Sequence, residues 1–180
     1  MLFSQDNAIL VVVDVQGRLA YLMHDKDSLF KNIQGIIQAA RILNIPVIYT
    51  EQVPDKIGKT VPEIQQYFLT QKAIEKASFS CCGEPAFLKA IDGTKRKQII
   101  VTGIETHVCV FQTVADLLAK KYPVQVIADA VSSRTQNNKT YALNRMKDFG
   151  ADMTSTEMAI TELIRTSLHP NFREILGLIR

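Results

Sequence analysis

The chain has 180 residues, 47% of them hydrophobic and 22% charged, with 21 Lys and Arg against 18 Asp and Glu for a net charge of +3. This suits one globular domain spanning residues 1–180, large enough for a full core without disulfide or metal staples, and excludes intrinsic disorder. A charge this small and this dispersed gives no argument for nucleic acid as a partner, and the run Lys95-Arg96-Lys97 beside Asp92-Gly93 reads as a solvated loop.

In chain order, Met1 to Asp6 lacks the basic and long apolar stretches of a signal peptide. No apolar run approaches the length of a membrane span, so the expected setting is the cytoplasm with no membrane partner. Ala8 to Val13 is an unbroken apolar, mostly β-branched run closed by Asp14, the pattern of a parallel strand covered on both faces. Leu29, Ile33, Ile36, Ile37, Ala40 and Leu43 then recur at helical steps. Pro46 to Thr50 is a second strand, followed by an irregular stretch from Glu51 to Thr60. A weaker strand is expected around Lys76 to Phe79. Gln98 to Gly103 and Pro123 to Ala128 are strong strands flanking a helix from Val108 to Lys120. Tyr141 to Phe149 reads as a helix stopped by Gly150, and Ala151 to Thr154 as a short strand. Glu157 to Arg165, with Thr154 or Thr156 as N-cap, and Asn171 to Ile179 complete the helices. About six strands alternating with helices imply an α/β fold, a doubly wound and mainly parallel sheet with helices on both faces.

Such sheets bind ligands beyond the carboxyl ends of their strands. Asp14 stands there, either as a reactive carboxylate or as a cap on the following turn. Cys109 lies six residues after Gly103 near a helix start, where backbone N–H groups lower a thiol pKa and can receive an oxyanion. The alternative is a small buried apolar residue. Lys76 either snorkels to solvent or sits beside Asp14 and the thiol. A thiol, a carboxylate and a cation together make a set for nucleophilic acyl chemistry. Three cysteines do not form a fully paired framework, and three scattered histidines suggest no metal.

Three segments, Val12-Val13-Asp14-Val15-Gln16, Lys76-Ala77-Ser78-Phe79-Ser80 and Gly103-Ile104-Glu105-Thr106-His107-Val108-Cys109-Val110, resemble the isochorismatase-like cysteine hydrolase superfamily. The total pattern is similar to its YcaC-related and isochorismatase-domain-containing branch. Thr50-Glu51-Gln52, Asp129-Ala130-Val131-Ser132-Ser133-Arg134 and His169-Pro170-Asn171-Phe172 carry that second likeness. The resemblance implies a catalytic triad of Asp14, Lys76 and Cys109. It also implies a cis peptide at Ile104–Glu105 and an oxyanion hole from the N–H groups of Glu105 and Cys109. Metal-holding members carry an Asp-x-His pair, whereas the matching loop here reads Thr50 to Lys56 without histidine, so neither metal nor other cofactor is expected. The implied reaction is hydrolysis of a small amide or related acyl substrate through a thioester. A catalytically silent scaffold and a redox-sensing thiol are the alternatives. Gln16, Glu51 and Phe79 flank the triad and are expected to line the substrate pocket. The likeness further implies a homo-oligomer, dimer or higher. His107 is assigned a packing or interface role, and Cys81 and Cys82 a structural one.

Overall fold

The computed structural model describes residues 1–178. Its strands are β1 (Ala8–Val13), β2 (Val47–Gln52), β3 (Ile74–Lys76), β4 (Gln98–Ile104), β5 (Val124–Ser132) and β6 (Asp152–Thr154). Its α-helices are α1 (Gly17–Ala20), α2 (Lys26–Ile42), α3 (Pro54–Ile57), α4 (Pro62–Gln65), α5 (Pro85–Thr94), α6 (Phe111–Ala119), α7 (Gln136–Asp148), α8 (Thr156–Ile164) and α9 (Phe172–Leu176). The strands form one parallel sheet in the order β3-β2-β1-β4-β5-β6. Among the described residues no helix is long and apolar enough to cross a membrane.

Alternation along β1 explains why the sheet is covered on both sides. Leu10 and Val12 face one core with Ile33, Ile36 and Ile37 of α2 and Ile160 of α8. Ile9, Val11 and Val13 face the other, with Phe87 of α5, Val114 and Leu117 of α6 and Met146 of α7. Neither face of the strand meets water, so every position is apolar.

The structure differs from the sequence expectations in several places. The third strand ends at Lys76 rather than beginning there. Helix α5 was not expected, although Glu84 as N-cap and Pro85 in the first turn are a recognisable start. The N-cap of α8 is Ser155, whose hydroxyl accepts from Met158 N–H. Thr156 is unavailable for that role because its hydroxyl donates to Asp129 at 2.8 Å. Arg96 is stitched rather than solvated, donating to the carbonyls of Gln5 and Ala8 at 2.7 and 3.0 Å. The last helix runs only from Phe172 to Leu176, and Ile179 lies outside the described residues.

After β1 the chain builds β2 and β3 on one side, then returns to add β4, β5 and β6 on the other. The carboxyl ends of β1 and β4 therefore flank the switch point, where such sheets leave a crevice. Their close approach needs a glycine. Gly103 has φ 118°, and a Cβ there would lie 2.1 Å from the Val13 carbonyl oxygen.

Candidate active site

Asp14 follows β1 in the left-handed region, φ 50°, which turns its side chain back over the strand ends. It is buried, and its carboxylate accepts the Thr50 hydroxyl and the Lys76 ammonium, each at 2.7 Å. Lys76 reaches Asp14 from the edge strand β3, past Gln52, its register partner on β2. The buried ammonium donates to Gln52 Oε1 at 2.7 Å and to the carbonyls of Ser78 and Phe79 at 3.1 Å. A cation so far from water is tolerable only with its donors met in this way.

Cys109 belongs to a π-helical turn, Thr106–Val110, that precedes α6. Its Sγ lies 4.0 Å from Gln52 Oε1. Burial pushes its thiol pKa well above the ordinary value, the Asp14 charge adds to that, and Lys76 only partly opposes it. The helix start therefore does not leave a thiolate at rest, and the lowered thiol pKa expected from sequence is corrected. Loss of water around sulfur is the largest cause, and the Asp14 charge works in the same direction.

Asp14 and Cys109 share the wall of a cavity of about 110 Å³, to which Gln16, Gln52, Phe79 and Glu105 also contribute. Leu19, Ile57, Ile104 and Val108 supply its apolar part. Gln16 does line the cavity, but its amide clamps the following loop. Its Nε2 donates to the Gln52 and Gly58 carbonyls at 3.0 and 2.6 Å, and its Oε1 accepts Gln52 N–H at 2.6 Å. Phe79 stands at the mouth, half exposed.

Glu51 is not on this wall. Its Oε1 accepts the Thr60 N–H and hydroxyl at 2.6 and 2.7 Å, on the opposite face of β2. The residue missed in its place is Gln52. Thr50 touches Asp14, so strand alternation puts Gln52, and not Glu51, on the same side.

The Ile104–Glu105 peptide bond is cis. The Glu105 carboxylate accepts the backbone N–H and the Nε of Arg134, both at 3.1 Å. His107 lies beside Ser133 Oγ at 3.0 Å and Asn138 Nδ2 at 3.4 Å. Cys81 is buried against the Thr50 hydroxyl at 3.7 Å, and burial pushes its thiol up to about 11. Cys82, half-buried, is raised to about 12, again chiefly by burial. Among the described residues no group of three or more His, Cys, Asp and Glu side chains is placed to hold a metal ion.

A carboxylate, an ammonium and a thiol gathered over the switch point of a parallel sheet place this chain among α/β proteins with a crevice at the strand ends. The chain belongs to the isochorismatase-like hydrolase family: the model of the Isochorismatase domain matches residues 8–158. Isochorismatase domain-containing protein 2 of Danio rerio is 36% identical over 176 residues, covering 98% of this chain and 88% of that protein. The MAR1 ribonuclease structure from Caenorhabditis elegans is 36% identical with a TM-score of 0.93, covering 99% of this chain and 92% of that one. YcaC from Pseudomonas aeruginosa, solved with hexane-2,5-diol and covalent acrylamide, is 28% identical with a TM-score of 0.92. That match covers 98% of this chain and 91% of the other.

Proposed function

We propose that this protein is a cysteine-dependent hydrolase of small amides or related acyl compounds, working through a thioester on Cys109. One observation carries the reading. Asp14, reached by Lys76 at 2.7 Å, shares a small cavity with the Cys109 thiol.

Because the resting thiol holds its proton, attack needs a base at the moment of reaction. Asp14 takes the thiol proton as sulfur adds to the substrate carbonyl. The N–H groups of Glu105 and Cys109 receive the oxyanion; one such donor typically contributes about 2.7–4 kcal/mol of barrier lowering. Asp14 then passes the proton to the departing ammonia or amine. In the second half Asp14 takes a proton from water, the hydroxide adds to the thioester, the carbon–sulfur bond breaks, and Asp14 returns the proton to sulfur as the acid leaves. Lys76 fixes the carboxylate and offsets the charge it gains and loses. No step calls on a metal or other cofactor.

A cavity of about 110 Å³ favours a small molecule over a polymer segment, whatever the names of relatives. The covalent acrylamide held by the P. aeruginosa relative is a small neutral electrophile, which agrees with a reactive nucleophile in that protein. We further place the protein in the cytoplasm as a homo-oligomer, where its three unpaired cysteines stay reduced. The decisive test is a screen of small amides for ammonia release, repeated with Cys109→Ala. The substitution should lower turnover by about 10⁴-fold or more and remove the acyl-mass adduct trapped on acid quenching. Undiminished turnover would overturn the covalent mechanism.

A further inference from the structure

The polar side chains on the cavity wall are already committed to the protein. Gln16 spends its amide on the Gln52 backbone and the Gly58 carbonyl. Gln52 donates Nε2 to the Ala77 carbonyl at 2.6 Å and gives Oε1 to Lys76. The Lys76 ammonium has four protein acceptors, and the Glu105 carboxylate is paired with Arg134. Among the described residues no Lys, Arg or His lines this cavity, and the cations Lys76 and Arg134 are paired behind its wall. What remains toward the mouth is carbon: Leu19, the Ile57 side chain at the end of α3, Val108 and the Phe79 ring.

We propose, resting on the hydrolase reading above, that the site selects an amide whose acyl substituent is small, apolar and free of negative charge. Leu19, Ile57 and Phe79 set that specificity. A substrate carboxylate entering the cavity would give up its hydration and meet no counter-ion, since Lys76 already answers Asp14 and Arg134 already answers Glu105. Carbon walls impose no such penalty on an alkyl group and reward it for leaving water. The same argument acts on the product. Hydrolysis converts a neutral amide and water into a carboxylate and ammonium, so an anion is created where no spare cation holds it, and it is released.

The test compares iodoacetamide with iodoacetate, which share reach and leaving group and differ in one charge. With either, a sulfur–carbon bond forms at Cys109, iodide departs, and the thiol proton passes to Asp14 and solvent. Alkylation rates at Cys109 are followed by peptide mapping near pH 8. The neutral-to-anionic rate ratio is divided by the ratio for the same cysteine in the urea-unfolded chain. The folded protein should favour the neutral reagent by about 100-fold or more beyond that reference.

Ile57 is 38% exposed, so the surface tolerates a longer side chain there. Ile57→Arg should narrow the preference about tenfold by supplying the missing cation, while Ile57→Gln should leave it wide. A normalised ratio near one would overturn the charge selection while leaving the thiol hydrolase reading intact. No labelling by either reagent would overturn that reading and this inference with it. If Ile57→Arg left the ratio unchanged, Ile57 would drop out of the specificity wall. In the ammonia assay, isohexanamide should outrun succinamate, its carboxylated isostere, and the reverse order would also sink the proposal.

Discussion

Lys76–Asp14 and Arg134–Glu105 each join a basic side chain to a carboxylate at the carboxyl ends of the strands, at 2.7 and 3.1 Å, yet only the first pair has lost its water. The side chains of Lys76 and Asp14 are 0% and 5% exposed; those of Arg134 and Glu105 are 57% and 8% exposed. The inner pair consequently depends on protein groups for everything solvent would supply. Thr50 serves the carboxylate, and Gln52 with two carbonyls serves the ammonium. In the outer pair only the guanidinium is open to water; Glu105 is buried but keeps a second donor in the Arg134 backbone N–H. Two bonds of similar length thus differ in what their loss leaves behind, and it is the inner one that borders the thiol.

Lys76→Met should break that comparison open with the largest effect. It strips the ammonium and leaves the Asp14 carboxylate buried without its counter-ion, the Thr50 hydroxyl still donating to it. The expected loss is about 3–5 kcal/mol in urea unfolding. Adding Asp14→Asn to Lys76→Met should recover a large part of it, because no bare charge remains. A single-variant loss below about 1 kcal/mol would put the inner pair in the same class as exposed ion pairs.

How much of this was legible in the sequence follows from the same physics. Strands β1, β2, β4 and β5 announce themselves as apolar runs because both faces of the sheet are covered. Strands β3 and β6 have three residues each, and α1, α3 and α4 four each, too few to display a period. Asp14 and Cys109 could be picked out as strand-end chemistry, and the structure brings both, with Lys76, to one place. Glu51 stands out only by its place at the end of the second strand, and alternation along β2 turns Gln52, not Glu51, to the side where Thr50 meets Asp14. The thiol's raised pKa was not legible at all. It depends on how much water the fold removes from sulfur and on the Asp14 charge beside it, quantities that no spacing encodes.

A pH scan sharpens the contrast from the buried side. Cys81 packs against Thr50, the residue that also holds Asp14, and its thiol is raised to about 11 by burial first and the Asp14 charge second. Its ordinary value is 9.0. Above that pH the unfolded chain has released the proton that the folded chain keeps, so the unfolded state binds fewer protons and stability falls as pH rises. The contribution is complete below about 9 and is lost between there and about 11, at up to about 1.4 kcal/mol per pH unit. Urea midpoints measured from pH 8 upward should fall less steeply in Cys81→Ala than in the parent. Parallel curves would mean that the Cys81 thiol is not held from water.

The smallest effect is expected at the outer pair. Arg134→Ala removes the guanidinium, but the Arg134 backbone N–H still donates to Glu105 Oε1 at 3.1 Å, so the carboxylate is not left bare. With the lost side chain 57% exposed, the destabilisation should stay at or below about 1 kcal/mol. It should also shrink in high salt, where the screening length falls from about 10 Å at 0.1 M to about 3 Å at 1 M. The deficit of Lys76→Met, arising where salt does not penetrate, should persist in the same buffers. If the Arg134→Ala deficit matched it and proved equally indifferent to salt, exposure would not be what separates the two pairs, and the case for the inner one as the poised partner of Cys109 would lose its physical basis.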